Sequence, residues 1–394
     1  MPVYRRTAFL LLLLLIAPLT AAAAPPRSQT PKPPGRSELA RWGGRLERRI
    51  DRSFLIGSGP LYADASTRGA PQHPAFMWGC GVQLAALAAA ARLDSRKAGR
   101  MNRCVRGLDA YWRSDRPLGG YDVLPLPKPP DCYYDDNAWM TLDLIEAYSI
   151  AHRPADLLRA EKTLRFVLSG EDSALRGGIW WRERDRKSKN TCSNAPAAVG
   201  ALELYKLTHK ARDLAAGERL EGWTRANLRD ATGLYFDHVN ADGTVDKTEW
   251  SYNTALMIRA ECALWRITNH HSFLALAEQS GGAAVGRWID PVTGGVKDGG
   301  AFAHLLLEGF EALYRADGDA NWRQVTLRAL LWLHTSGRRR SGWYTAQWDT
   351  PVSGHSPADE KLLDQASAAR AFLEAAAPGT WLVAAPVPPI GRGA

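Results

Sequence analysis

Apolar residues recur at helical spacing along most of the chain that follows its first few dozen residues. Positions three and four residues apart fall on one face of an α-helix. The connections between such segments alternate between short and long, so the segments form consecutive pairs. The pattern predicts twelve helices, near residues 37–54, 74–93, 97–113, 136–151, 154–169, 193–208, 210–228, 251–268, 271–286, 301–315, 320–335 and 359–376.

One helix of each pair is more apolar than its partner. Residues 195–207 contain only two charged side chains, Glu203 and Lys206, whereas residues 210–228 contain many. Helices that are apolar around most of their surface are buried. The apolar helices begin at intervals of roughly 50 to 60 residues, which is longer than the common solenoid repeats. We therefore predict an all-α fold, an (α/α)6 toroid of six inner and six outer helices.

The long connections predict where the binding surface lies. If all inner helices run in the same direction, every long loop precedes an inner helix and lies at one end of the toroid. These loops are rich in glycine and aromatic residues, and Asp242-Gly243 between two strand-like runs predicts a β-hairpin in one of them. Aromatic rings suit the faces of sugar rings, although Trp and Tyr also fill large helical cores.

Residues 1–24 have the pattern of a secretory signal peptide. Arg5 and Arg6 are basic, residues 8–16 are apolar, and small residues precede the predicted cleavage zone. The apolar run is short for a membrane span. We expect export, to the extracellular space or the periplasm, without stable insertion in a membrane.

The chain is long enough for one large domain or two smaller ones with substantial cores, since it has 394 residues and 45% hydrophobic content. Twelve helices in one ring favour a single domain over residues 37–378, which we expect to be a monomer. A proline-rich linker at 25–36 and a flexible tail at 379–394 would flank that domain.

The formal net charge of +9 permits binding to nucleic acid or to anionic polymers. Lys and Arg are scattered along the chain, however, and the one tight basic run is Arg338-Arg339-Arg340. We interpret that run as a helix-end cap or a solvated loop. Nucleic acid is therefore not an expected partner.

Metal and cofactor motifs are missing from the sequence. The five cysteines are an odd number, and their spacings match no zinc pattern. The sequence contains no nucleophile elbow, zinc-protease helix, P-loop or dinucleotide fingerprint. We expect neither a metal nor a cofactor.

Two adjacent acids, Asp135 and Asp136, stand at the predicted start of an inner helix with aromatic residues on both sides. An acid at such a position can cap the helix or favour its dipole, which explains one of the two. The second is harder to explain this way, because each charge opposes ionisation of the other. A protonated acid beside an ionised one is the chemistry that cleaves a glycosidic bond.

Three asparagines, Asn137, Asn194 and Asn253, occupy similar positions at the starts of inner helices. Capping or support of the backbone would explain each of them alone. At equivalent positions of a toroid they could also donate hydrogen bonds to the hydroxyl groups of one ligand.

The segment Tyr133–Trp139 resembles the acid-pair motif of glycoside hydrolase family 76, the endo-α-1,6-mannanases. The likeness covers roughly residues 40 to 376 and includes several ordered motifs. These are Gly177-Gly178-Ile179-Trp180-Trp181, residues 189–198, Gly233-Leu234-Tyr235-Phe236-Asp237-His238 and Ser251-Tyr252-Asn253-Thr254-Ala255-Leu256-Met257.

The resemblance implies an (α/α)6 fold and metal-free, retaining hydrolysis of α-1,6-mannosidic bonds in mannan or a related cell-surface glycan. It implies that Asp135 is the nucleophile and that Asp136 is the general acid and base. One departure from the family pattern is Ala303, where many relatives carry a basic residue. The expected substrate-binding residues are Tyr134, Asn137, Trp180, Trp181, Asn194, Tyr252 and Asn253.

Three alternatives remain open on the sequence. The chain could transfer mannan or a GPI-type glycan to another sugar instead of to water. It could bind glycans without catalysis, in which case neutralising the acid pair would leave binding unchanged. It could also be a different glycosidase that uses acids elsewhere on the ring, such as Asp237 or Asp364.

Overall fold

The computed structural model describes residues 32–66, 72–115, 117–353 and 359–377. The chain divides into two units, Met1–Lys32 and Pro33–Ala394, and every described helix and strand belongs to the second. The predicted signal peptide, most of the predicted linker and the predicted tail lie outside the described residues.

Twelve α-helices and one three-stranded sheet make up the regular structure of the described residues. The helices are α1 (Arg36–Phe54), α2 (Met77–Leu93), α3 (Ala98–Gly107), α4 (Tyr134–Ala151), α5 (Pro154–Leu168), α6 (Thr191–Thr208), α7 (Ala211–Leu228), α8 (Ser251–Thr268), α9 (His271–Trp288), α10 (Gly300–Asp317), α11 (Ala320–Ser336) and α12 (Leu362–Ala376). The strands are β1 (Ser188–Asn190), β2 (Phe236–Asn240) and β3 (Val245–Glu249).

Six helices form a closed inner ring. In the order α2, α4, α6, α8, α10 and α12 each packs on the next, and α12 packs back on α2. Small residues allow this close approach. A Cβ on Gly309 of α10 would lie only 3.2 Å from Ala255 of α8, so a side chain there would push the two helices apart. The other six helices surround the ring, which confirms the predicted (α/α)6 toroid.

The short turns lie at the ends of inner helices and share one conformation. A left-handed residue ends each of four of them: His152 after α4, His209 after α6, Asn269 after α8 and Gly318 after α10. Each of these residues donates its backbone N–H to a carbonyl four residues earlier, which satisfies one of the free carbonyls of the helix end. The inner helices therefore all begin at the opposite end, where the long loops gather.

Two sequence-predicted elements differ from the structure. The helix predicted at 97–113 ends as an α-helix at Gly107 and continues as a 3-10 turn, Leu108–Tyr111. A Cβ on Gly107 would lie 2.7 Å from the carbonyl oxygen of Pro60, so the segment before α2 packs directly against the helix end. Residues 179–183, whose β-branched and aromatic side chains are typical of a strand, form only isolated bridges, between Glu171 and Ile179 and between Tyr133 and Arg182.

The small sheet has the order β1-β2-β3, and both pairs are antiparallel. The hairpin predicted around Asp242-Gly243 is formed by β2 and β3. Gly243 has a φ of 88°, a left-handed conformation that glycine adopts at little cost. The sheet extends from the toroid at the long-loop end.

Four charged residues of the inner helices meet one another inside the ring. Arg370 of α12 donates two hydrogen bonds to Glu308 of α10, and Arg259 of α8 pairs with the same carboxylate at 3.2 Å. Arg370 also lies 3.6 Å from Asp143 of α4. We call these four residues, Arg370, Glu308, Arg259 and Asp143, the ionic core.

Candidate active site

A cleft of about 900 Å³ opens at the long-loop end of the toroid. Its floor is the start of α4, and its walls come from the loop before α6, from the β2–β3 hairpin and from the starts of α2, α8 and α10. The cleft is where the aromatic loops and the predicted acid pair meet.

Asp135 and Asp136 are the second and third residues of α4 and contribute carboxyl groups to the cleft. Neither acid caps the helix, because the cap position belongs to Tyr133, which has an extended backbone and makes no side-chain cap. Both lie in the first turn, where the positive end of the helix dipole favours a negative charge. The capping explanation is therefore excluded, while the dipole contribution remains.

Asp135 is surrounded by hydrogen-bond donors. Its Oδ2 accepts a hydrogen bond from the Trp181 indole N–H at 2.7 Å, and its Oδ1 accepts one from the backbone N–H of Asp136 at 2.7 Å. The thiol of Cys192 also approaches Oδ2, at 3.7 Å. Burial raises the pKa of Asp135 to about 6, and these donors limit the rise because they stabilise the ionised form. At neutral pH this group is ionised.

Asp136 has the opposite surroundings. Among the described residues, no group donates a hydrogen bond to its carboxyl oxygens. Burial raises the pKa of Asp136 well above its ordinary value, and the charge of Asp135 raises it further, with smaller contributions from Asp131 and Asp122. The pair therefore holds one proton at neutral pH, and that proton resides on Asp136.

The loop before α6 forms one wall of the cleft. The backbone N–H of Tyr134 donates to the carbonyl of Trp181 at 2.9 Å, so this loop pairs with the residues that precede the acids. Trp181 is 39% exposed and meets the edge of Tyr133 with ring centroids 5.0 Å apart. The guanidinium of Arg182 lies over the Tyr133 ring, 4.9 Å from its centroid. Arg182 also forms an ion pair with Asp131 at 2.6 Å.

An aromatic cluster forms the opposite wall. Phe302 of α10 stacks on Tyr252 of α8 with ring centroids 4.5 Å apart, and Trp78 of α2 stacks beside it at 5.7 Å. Trp250, which is 37% exposed, completes the cluster at 5.2 Å from Phe302. The acids thus lie between two aromatic walls, an arrangement that fits the apolar faces of pyranose rings.

The β2–β3 hairpin contributes a polar side. Asp237 and His238 both line the cleft, and the His238 ring nitrogen Nδ1 lies 2.9 Å from a carboxylate oxygen of Asp237. Asp364, the other acid that the sequence offers as an alternative, is not among the lining residues.

Four of the nine sequence-predicted site residues line the cleft, namely Asp135, Asp136, Trp181 and Tyr252. The other five are buried away from it. Helix geometry accounts for two of these, because Tyr134 and Asn137 are three residues apart on one face of α4 and that face points into the protein. The buried five are Tyr134, Asn137, Trp180, Asn194 and Asn253.

Asn137 and Asn194 support the backbone, so the prediction that they bind a ligand directly does not agree with their position. The Asn137 side chain bonds the N–H and the carbonyl of Tyr121, and that of Asn194 does the same for Ile179. Gln365 at the fourth position of α12 holds both backbone groups of Tyr344 in this way. We call Asn137, Asn194 and Gln365 the amide clamps, since each fixes a long loop to an inner helix.

Asn253 is no amide clamp. It is the third residue of α8, one position earlier than the clamps occupy, and its side-chain nitrogen and oxygen have no hydrogen-bond partner among the described residues. Thr254 takes the fourth position and accepts a hydrogen bond from the backbone N–H of Tyr235 at 3.1 Å.

Trp180 is a core residue and does not line the cleft. Its indole N–H donates to Asp172 at 2.7 Å, and the ammonium of Lys189 lies 4.7 Å from its ring centroid. That ammonium donates further hydrogen bonds to the carbonyls of Ala174 and Gly177, both at 2.7 Å. Trp180 therefore shapes the loop that presents Trp181.

Sequence reasoning missed several cleft residues. Trp78 and Phe302 lie at the starts of inner helices, and their recurring spacing was a usable signal. His238 belongs to one of the motifs of the resemblance, which was a signal, but Arg182 had none, since a single Arg in a loop does not reveal what it will face. Cys192 was not singled out either, since it is one of five cysteines, all of them buried and none in a disulfide within the described residues.

Metal sites and membrane spans are both absent from the described residues. No group of three or more His, Cys, Asp or Glu side chains among them is arranged to hold a metal ion. No helix in the described part of the chain is long and apolar enough to span a bilayer.

The closed double ring of helices, with two adjacent acids between aromatic walls at its mouth, places the protein in the (α/α)6 class of glycoside hydrolases. The sequence profile of glycosyl hydrolase family 76 matches residues 59–297, more than half of the chain. The chain belongs to glycosyl hydrolase family 76, as the motifs indicated. Among curated proteins, no match is found.

Solved structures of this fold agree. A GH76 α-mannanase from Bacteroides thetaiotaomicron is 28% identical, with a TM-score of 0.82 over 86% of this chain and 95% of that one. An α-1,6-mannanase from a Salegentibacter species is 21% identical, with a TM-score of 0.74 over 86% and 99% of the two chains. That structure is an inactive variant with two adjacent aspartates changed to asparagine, in complex with α-1,6-mannotriose. Dfg5 from Chaetomium thermophilum, in complex with glucosamine, is 13% identical with a TM-score of 0.70 over 88% and 92%.

Proposed function

We propose that the protein is an exported, retaining glycoside hydrolase that cleaves α-1,6-mannosidic bonds in mannan or a related cell-surface glycan. One observation carries the proposal, the asymmetric acid pair on the floor of the cleft. Asp135 accepts hydrogen bonds from Trp181 and from the backbone, whereas the described residues offer no donor to Asp136. The two acids therefore differ in protonation although they are neighbours.

The reaction has two steps. Asp135, as the carboxylate, attacks the anomeric carbon while Asp136 gives its proton to the oxygen of the leaving sugar, so that a covalent glycosyl ester forms on Asp135. Asp136, now ionised, takes a proton from a water molecule whose oxygen attacks the same carbon and releases Asp135. Two displacements at one carbon retain its configuration.

Likeness to α-mannanases supports the choice of bond. The relative that is crystallised with α-1,6-mannotriose has the same fold along nearly its whole length, and its inactive form has lost two adjacent aspartates. In this chain the aromatic walls on either side of Asp135 and Asp136 offer sites for the sugars before and after the scissile bond.

The test is incubation of the purified protein with linear α-1,6-mannotetraose, α-1,2-mannobiose and α-1,3-mannobiose, followed by NMR of the first products. We expect α-1,6-linked substrate to give shorter fragments whose new reducing end is initially the α-anomer. The β-anomer as first product would contradict the retaining mechanism. Cleavage of the other two linkages alone would contradict the proposed specificity.

Transfer to a sugar instead of water is the second candidate, because the same covalent ester on Asp135 can be attacked by any hydroxyl group that reaches it. The exposed aromatic residues Trp181 and Trp250 offer acceptor sites on both walls. Addition of an acceptor such as methyl α-mannoside separates the two outcomes. Elongated products that outnumber free reducing ends would favour transfer, and their absence would favour hydrolysis.

Export is part of the proposal and rests on the basic and apolar pattern of residues 1–24. Expression of the full chain in a bacterial host, with N-terminal sequencing of the cell fractions, tests it. We expect a mature protein that begins near residue 25 outside the cytoplasm. An uncleaved chain that stays in the cytoplasm would contradict it.

A further inference from the structure

A second groove, about 240 Å³ in volume, lies between the C-terminal half of α1 and the loop that follows α11. Arginine side chains from both elements converge on it: Arg45, Arg48, Arg49, Arg52 and Arg338. None of these five arginines forms an ion pair with a carboxylate of the described residues. We call this site the arginine groove.

Such a cluster works against the stability of the free protein. Like charges three and four residues apart on a helix repel one another, and Arg45, Arg48, Arg49 and Arg52 have this spacing along α1. The pKa of Arg49 is lowered by burial and then by the neighbouring charges of Arg52 and Arg338. An anion in the groove would relieve this repulsion.

One arginine of the groove, Arg49, is held in place by the loop, whereas the other four are exposed. Arg49 lies 4.8 Å from the ring centroid of Trp343 and donates a hydrogen bond to the carbonyl of Ser341. The loop is closed by a hydrogen bond from the N–H of Gly342 to the carbonyl of Arg339 at 2.8 Å. Gly342 has a φ of 89°, and a side chain there would collide with the guanidinium of Arg49.

Aromatic residues line the inner side of the groove. The rings of Trp42 and His334 stack 3.7 Å apart, and the His334 nitrogen Nδ1 lies 2.7 Å from the hydroxyl of Tyr344. The volume equals roughly eight water molecules of about 30 Å³ each, which is more than one small anion fills. Guanidinium groups bind phosphate oxygens in pairs, and an aromatic surface beside them suits an attached ring.

We propose that the arginine groove is a binding site for a phosphate group, and in particular for the phosphate ester of a sugar. Arg338 and Gly342 belong to the loop before α12, so the groove opens on the long-loop end of the toroid, as the catalytic cleft does. The site is separate from Asp135 and Asp136, and its occupation does not depend on what those acids cleave.

The test is isothermal titration calorimetry of the full-length protein with glucose 6-phosphate, inorganic phosphate and glucose, each at low ionic strength. We expect binding of both phosphates and no binding of glucose. Tighter binding of glucose 6-phosphate than of phosphate would assign a sugar ester as the ligand, and equal affinities would assign the free ion. Two results would overturn the proposal. One is binding of glucose as tight as that of glucose 6-phosphate. The other is no binding of either phosphate at about 10 mM, because hydrogen-bonded charge pairs give a much tighter site.

Two variants make the test specific. Arg338→Gln, within the groove, should weaken phosphate binding about tenfold, the loss expected for one charge-assisted hydrogen-bonding group. Arg340→Gln removes the same charge two residues away without touching the groove and should stay within about twofold, as expected for a surface charge. Equal losses in both variants would show nonspecific attraction and overturn the site.

His334 offers an independent signal. Burial and the charges of Arg338 and Arg45 lower its pKa to about 4, so its ring is neutral at neutral pH. A phosphate in the groove favours the charged ring, and NMR titration should therefore show a higher pKa for His334 when phosphate is present. No shift of this resonance, in a titration where the heat of binding is seen, would place the ligand elsewhere.

Discussion

Asp136 on the cleft floor and Glu308 in the ionic core are both buried acids, but their pKa values are shifted in opposite directions. Asp143, which also belongs to the ionic core, lies seven residues after Asp136 on the same face of α4. Its pKa is likewise raised well above the ordinary value, because burial outweighs the attraction of Arg370. In the ionic core, burial alone would raise the pKa of Glu308, yet Arg370 and Arg259 hold it below its ordinary value. On the cleft floor no arginine of the described residues forms an ion pair with Asp136, and the pKa of Asp136 stays high.

The difference shows how the surroundings of a buried acid decide its charge within one ring of helices. A buried carboxylate with charged partners on both sides remains ionised and joins neighbouring helices, here α10, α8 and α12. A buried carboxyl group beside another acid keeps its proton and is available to donate it where the cleft gives access to a substrate.

The largest expected effect is the loss of the proton donor. Asp136→Asn should lower kcat/KM for α-1,6-mannotetraose by about 10²–10⁴-fold, because general acid catalysis contributes on that order. The melting temperature should not fall, since asparagine is neutral and close in size to the protonated acid that it replaces. Release of reducing ends and a thermal melt measure the two quantities.

Asp364→Asn is the matched control. Asp364 is also an acid in the first turn of an inner helix, α12, but it does not line the cleft. Activity should survive this change. A loss of activity as large as that of Asp136→Asn would show that acids outside the cleft also affect the reaction. It would contradict the assignment of the proton donor to the cleft floor.

Loss of an arginine should affect stability instead. Arg370→Met leaves the charge of Glu308 with only Arg259 and should reduce the free energy of unfolding by about 3–5 kcal/mol, as removal of one partner of a buried pair does. Urea unfolding measures this. The double change Arg370→Met with Glu308→Leu should recover part of the loss, and a stable single variant would mean that the ionic core does not hold the ring together.

A pH-dependent gain in stability is expected for Asp135→Asn. The folded pKa of Asp135, about 6, lies above the unfolded value, so its stabilising contribution is present at acidic pH and is lost as the pH rises through 6. Asparagine does not titrate, and the variant should therefore gain about 3 kcal/mol relative to the parent at pH 7.5 but not at pH 3.5, the free energy that corresponds to a rise of about two pK units. Unfolding curves at the two pH values measure the difference, and a gap that is larger at pH 3.5 would contradict the sign.

The smallest effect is expected from Trp181→Phe. This change keeps an aromatic ring in the cleft wall but removes the N–H donor to Asp135, so the pKa of that carboxyl group should rise and the acid limb of the pH–activity profile should move above pH 6. We expect kcat/KM at pH 6 to fall about tenfold, the effect of one hydrogen bond to a charged group. If the acid limb of the pH–activity profile stays in place in this variant, Trp181 does not influence the pKa of Asp135 and contacts only the sugar.

The fold was largely predictable from the chain. Helical periodicity located twelve helices, and the low charge of segments such as 195–207 identified the inner ring. The boundary at Gly107 was not predictable, because it depends on Pro60, which is distant in sequence. The ionic core was also missed, since charges such as Arg370 look like isolated exceptions until the helices are assembled.

The candidate site was predictable in part. The motif containing Asp135 and Asp136 pointed to the correct end of the toroid, and Trp181 and Tyr252 indeed line the cleft. The recurrence of Asn137 and Asn194 was a real signal with the wrong interpretation. A polar residue that recurs at equivalent positions indicates that it has the same role in each repeat. Whether its side chain bonds a ligand or a backbone group depends on whether that face of the helix points into the cleft or into the protein.

The sequence by itself determined the toroid and the family and singled out the two acids, because periodicity and local motifs are properties of neighbouring residues. Only the tertiary structure decided how the acids differ. Trp181, 46 residues from Asp135, brings a hydrogen bond to that carboxyl group and none to Asp136. Protonation depends on burial and on donors from distant segments, and these exist only once the loops are fixed on the ring.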